Sequence, residues 1–162
     1  MTTNEIERRE IELVPIEPAN PRTLRGIAVP YGALSHVLND RAKPYRERFD
    51  PGSVEYDDRT VMAYGHDLSG VPLGRVGAGT LAFQETAEGL AFSVELPESR
   101  ADIVEALRRG DLDGSVSVGF IAKDDRWQNR TNPAVRTVRS AILVELSICH
   151  AGAYPTAQGT IA

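Results

Sequence analysis

Histidine is scarce in this chain: His36, His66 and His150 are the whole set. A general base working near neutral pH is most economically one of them. His66 stands in Tyr64-Gly65-His66-Asp67, where an apolar run ends and a glycine-rich loop begins. Strand ends are where rigid scaffolds present reactive groups. Ser117 stands in Gly114-Ser115-Val116-Ser117-Val118-Gly119-Phe120. Alternation puts Val116, Val118 and Phe120 on one face and Ser115, Ser117 and Gly119 on the other. Small residues on that second face leave room for a substrate backbone. A serine hydroxyl becomes a nucleophile once a base takes its proton. Glu145 interrupts the apolar run Ile142 to Ile148, and alternation groups it with Leu143 and Ser147, opposite Val144 and Leu146. A carboxylate there is costly unless paired or solvated. Orienting a histidine would justify it, and so would an ion pair with Arg136 or Arg139. On the residues alone each has a plainer account as well: a loop histidine, serines on a solvent face, an ion-paired glutamate.

Other chemistries fit less well. No two histidines share a close spacing, so no metal site is expected. Gly74 to Gly79 contains glycines but lacks the Lys and Ser/Thr of a phosphate loop. Ser117 lies in a strand-like alternation with no helix pattern after it, unlike the Gly-x-Ser-x-Gly elbow. Asn129-Arg130-Thr131 matches a glycosylation triplet and nothing around it gives that weight.

The elements that must position these residues are mostly strands, because the apolar period is mostly two. Arg9 to Val14 alternates in part, and Leu24 to Val29 reads as a strand that breaks at Pro30-Tyr31-Gly32. Thr60 to Tyr64 is a short apolar run. Gly79 to Glu85 and Leu90 to Leu96 read as a hairpin around Thr86-Ala87-Glu88-Gly89. Ser115 to Ala122 and Val135 to Ile148 read as long strands, with Asp124 to Pro133 an exposed loop between them. One helix is expected, capped by Ser99 with Asp102 three residues on, striped by Ile103, Val104 and Leu107, and stopped by Gly110. A second, short helix is expected from Ser53 to Tyr56. The sum is a mostly β fold (α+β), with a barrel or sandwich favoured.

A chain of 162 residues fits a single domain over 1–162, with its core at about 24–157 and loose ends. The formal charge is −5, and no basic run is present, which argues against nucleic acid. The single cysteine, Cys149, excludes an internal disulfide and suits a reducing compartment. The polar N-terminus is no signal peptide, no apolar run spans a membrane, and use inside a cell is expected.

Six segments together resemble, in order and spacing, the prohead (capsid maturation) proteases of tailed phages, distantly similar to the herpesvirus assembly proteases. They are Gly26-Ile27-Ala28-Val29-Pro30-Tyr31-Gly32; Glu47-Arg48-Phe49-Asp50-Pro51-Gly52-Ser53, like E-x-F-x-P-G-A/S; His66-Asp67 followed by Pro72-Leu73-Gly74; Glu88-Gly89-Leu90; Gly110-Asp111-Leu112 leading into Ser117-Val118-Gly119-Phe120; and Leu143-Val144-Glu145-Leu146-Ser147-Ile148, like L-x-E-V/L-S. A departure is His150-Ala151-Gly152-Ala153-Tyr154-Pro155, which stands in place of a Pro-Ala-rich segment.

The resemblance implies a herpesvirus-protease-like β-barrel flanked by a few helices, and a serine endopeptidase with His66 as base and Ser117 as nucleophile. Glu145 matches the third position, and His150 is its rival. The oxyanion donors it leaves open are the Val118 backbone N–H or an arginine near Arg139. It implies no cofactor and no metal. The partners it implies are the scaffold or the scaffolding segment of the major capsid protein, and the protease itself, with neither nucleic acid nor membrane. It allows self-association and a setting in procapsids in the host cytoplasm, of a phage, prophage or gene transfer agent. A catalytically silent assembly module of the same fold is the alternative.

Overall fold

The structure, a computed structural model, describes residues 5–11, 22–40 and 43–150. The longest element, β11 (Ala134–Ile148), is the spine. Along one side it pairs antiparallel with β10 (Val116–Gln128). Along the other side three segments follow one another, all parallel to it: β4 (Lys43–Phe49), β5 (Val54–Glu55) and β6 (Val61–Tyr64). β3 (Leu38–Asp40) lies outside β4, and β7 (Gly74–Arg75) outside β6. The N-terminal β1 (Glu7–Ile11) covers the outer edge of β10. A second sheet holds β2 (Thr23–Pro30), β9 (Gly89–Glu95) and β8 (Leu81–Glu85), in that order.

The core unites both sheets and the helix α1 (Ala101–Arg109). Val116, Val118 and Phe120 of β10 bury their alternating face with Leu143, Leu146 and Ile148 of β11. Leu24, Leu90, Phe92 and Val94 of the second sheet and Ile103, Val104 and Leu107 of α1 complete the cluster. The i, i+1, i+4 spacing of those three puts them on one helix face. Gly110 ends the helix at φ 78°, its N–H donating to Ala106 and Leu107 carbonyls. That is the left-handed stop a glycine takes without strain.

The mostly β expectation holds, but among the described residues the sheets are open and form no closed barrel. α1 is the one α-helix among the described residues. Its cap differs from the expected one: Ser99 lies in a 3-10 turn, Glu98–Arg100, and Arg100 occupies the N-cap position without a side-chain cap bond. The second helix is absent. Gly52 turns the chain at φ 71°, and Val54–Glu55 then pair with Ala141 and Ile142. The unpaired flank of β11 offers more hydrogen bonds than a single helical turn could make.

The segment expected as a loop from Asp124 to Pro133 is strand in its first half, to Gln128, and turn in its second. β10 continues to Gln128 because its polar residues find partners across the hairpin. Asp125 accepts from Arg136 (2.8 Å) and Asp124 from Arg139 (2.9 Å), while Trp127 packs against Tyr45 with ring centres 5.2 Å apart. The early strand begins two residues before the expected Arg9, and positions 12–14 and both chain ends lie outside the described residues.

Candidate active site

β6 and β11 run parallel, with Ser147 opposite Ala63 and Ile148 opposite Tyr64. Gly65 continues the pairing by donating its N–H to the Ile148 carbonyl (2.8 Å). The chain then turns sharply: Gly65 sits at φ 59° and His66 at φ 64°. A non-glycine residue in that region carries a strain cost of about 1–3 kcal/mol. The turn aims the imidazole back across β11, where its Nδ1 lies 2.9 Å from Glu145 Oε1.

Glu145 is 0% exposed. Arg8 Nε donates to the same Oε1 (2.8 Å), and Ser147 Oγ donates to Oε2 (2.8 Å). Burial pushes this carboxyl up, but the bonds from Ser147, His66 and Arg8 outweigh it and hold it below the usual carboxylate range. Glu145 is therefore the anion, and an anion only accepts. The Nδ1 that faces it carries the proton, which leaves Nε2 of the neutral ring as an acceptor. Cys149 Sγ stands 3.7 Å from that Nε2.

The middle strand is shaped to admit the carboxylate. Gly119 lies opposite Glu145, and a Cβ built on it would come within 2.6 Å of Glu145 Cγ and 2.8 Å of Oε1. Between Gly119 and Phe120 the register slips, so that Gly119 faces Glu145 but Phe120 faces Leu143. This bulge at Val144 corrects the simple alternation. Leu143 joins Leu146 in the core, and Glu145 shares its face with Ser147 but not with Leu143.

Ser117 lies opposite Ser147, the next row along the same face. It is 0% exposed and its Oγ has no hydrogen-bond partner. The structure thus brings His66 and Glu145 together and leaves the Ser117 hydroxyl unbonded to either. His150 is exposed and turned to the Tyr64 hydroxyl (2.9 Å). Asp67 binds the N–H and hydroxyl of Ser69. Arg139 is held by Asp124 at the β10–β11 hairpin, and Arg136 by Glu7, Glu47 and Asp125, so neither pairs with Glu145. Arg8 and Cys149 are contacts that the sequence reading missed. The match of Arg8 to Gly119 depends on β1 docking, which no local pattern announces.

Among the described residues no cluster of three or more His, Cys, Asp or Glu side chains is arranged to hold a metal ion, and no helix is long and apolar enough to cross a membrane.

A buried carboxylate bonded to a strand-end histidine, with a serine one row along the same sheet face as the carboxylate, is an arrangement that serine hydrolase chemistry can use. The chain belongs to the caudovirus prohead serine protease family, whose model matches residues 4–162. That family acts as proteases on capsid proteins in the assembling proheads of tailed phages. No curated protein and no solved structure matches the chain significantly.

Proposed function

We propose that this chain is a serine endopeptidase of procapsid maturation, with His66, Ser117 and Glu145 as its catalytic residues. The observation that carries the reading is the His66–Glu145 pair at 2.9 Å, with Ser117 one row away on the same face. Ser117 Oγ attacks the peptide carbonyl while His66 Nε2 takes its proton. Glu145 holds the ring and offsets the charge of the imidazolium. The ring then protonates the leaving amine, an acyl-enzyme remains, and His66 activates the water that releases it. The contact of Cys149 with Nε2 describes a resting state, and activation exchanges that thiol for the Ser117 hydroxyl. An unpartnered buried hydroxyl costs about 1–3 kcal/mol, so Ser117 gains a bond by the exchange. The substrates in this reading are scaffold, or the scaffolding segment of the major capsid protein, and the protease itself.

A catalytically silent assembly module is the second reading, favoured by the closed, unbonded state of Ser117. Co-expression with the capsid protein separates the two, with the capsid protein's N-terminus read by mass spectrometry. The expected result is a shortened capsid protein with the unmodified chain and a full-length one with Ser117→Ala, both folded. Full-length capsid protein in both, with procapsids assembled, supports the silent module.

A further inference from the structure

Arg8, Gly119 and Glu145 form one row across β1, β10 and β11. The middle member has no side chain, so nothing separates the outer two, and Arg8 reaches across the glycine to Oε1. Its neighbours Glu7 and Arg9 point to the other side of β1 and anchor the strand. Arg9 Nε donates to Glu47 Oε1 (2.7 Å), and Glu7 is bound by Arg136. The strand is thus fixed from one face while its other face delivers a single cation to the centre.

Resting on the protease reading above, we propose that Arg8 is a positioning residue of this centre. It holds Glu145 ionised and aimed at His66 Nδ1, and by sharing Oε1 it limits how tightly the carboxylate retains the ring's proton. Both nitrogens contact one oxygen, which places the two cationic groups within about 6 Å of each other when the ring is protonated. Arg8 therefore opposes ring protonation, and its removal favours it. Among the described residues the other charged or titratable groups around His66 are accounted for. Cys149 faces Nε2, Asp67 is engaged by Ser69, and Tyr64 and His150 bind each other with Arg100 stacked over the Tyr64 ring.

The test is the rate at which a fluorophosphonate probe labels Ser117 as pH rises, in procapsids assembled with the protein. The neutral base is the active form, so the rate rises through an inflection. Arg8→Gln is expected to move that inflection to higher pH, because it removes a cation that shares Oε1 with the ring. Arg8→Lys, which keeps the charge, is expected to stay near the unmodified protein. An unmoved or lowered inflection in Arg8→Gln overturns the assignment, as does Arg8→Lys moving as far as Arg8→Gln. An unmodified protein that takes no label overturns the protease reading and this assignment with it. That outcome is distinct from a labelled protein indifferent to Arg8.

Discussion

A side chain on residue 119 and a carboxylate at 145 compete for the same space. The Cβ of an alanine would overlap the Glu145 side chain from Cγ to Oε1. Gly119→Ala is therefore expected to push the carboxylate off His66 Nδ1. In the protease reading, cleavage should fall roughly 100-fold, the loss that about 1 Å of misplacement can cause. Gly119→Ala/Glu145→Asp is expected to recover none of that loss, because aspartate keeps a Cγ at the point of closest overlap and its shorter carboxylate falls back from His66 Nδ1; a double-mutant cycle reads the coupling directly. Full cleavage by Gly119→Ala alone would show that the seat is not needed. At this scale the sequence was informative about residue types. Scarcity pointed to His66, and a charge in an apolar run pointed to Glu145. It was silent on Arg8 and Cys149, whose contacts come from a strand pairing and a strand end far in sequence from the residues they touch.

Among elements, β1 and β11 are joined through a largely buried ion cluster. Arg136 of β11 binds Glu47 of β4, Asp125 of β10 and Glu7 of β1, and Arg9 of β1 binds Glu47 and Tyr45. Burial pushes the Glu47 carboxyl up against the pull of Arg9 and Arg136, so the pairing mainly offsets desolvation. Arg136→Ala would remove the cation that three acidic groups share, leaving Glu7 and Glu47 to Arg9 and taking the arginine partner from Asp125. It is expected to lower the unfolding free energy by about 3–5 kcal/mol in denaturant titrations. A change of about 0.5 kcal/mol, typical of a surface site, would mean the cluster is dispensable. The strands themselves were legible wherever alternation was clean, as in the hairpin of β8 and β9. Reading failed where pairing overrode local pattern: Val54–Glu55 turned into a strand on the flank of β11, and Asp124 to Gln128 were drawn into β10 by cross-strand ion pairs. The bulge at Val144 was invisible for the same reason, since a register slip belongs to two strands at once.

For the molecule as a whole, acid should unfold the protein through the carboxylates it holds ionised. Glu145 is held low against its burial by Ser147, His66 and Arg8, and Glu7 is held low against its burial by Arg136 and Arg9. A depressed carboxyl contributes stability that is complete above its unfolded value and is lost as pH falls through its folded value. The expected outcome is a melting temperature that declines as pH drops below about 4.5, with a shallower decline in Glu145→Gln. A flat profile in the unmodified protein would contradict it. The order of strands along β11 has a consequence in time as well. His66 is made early, but its ring is aimed by a pairing with residues 145–148, the end of the spine. β4, β5, β6 and β10 likewise wait for β11 before the larger sheet exists. A chain emerging from the ribosome therefore carries His66 without its carboxylate until Glu145, 79 residues further on, has been synthesised. In the protease reading, a half-made chain cannot cut its neighbours, and hydrolytic competence arrives as one of the last events of folding.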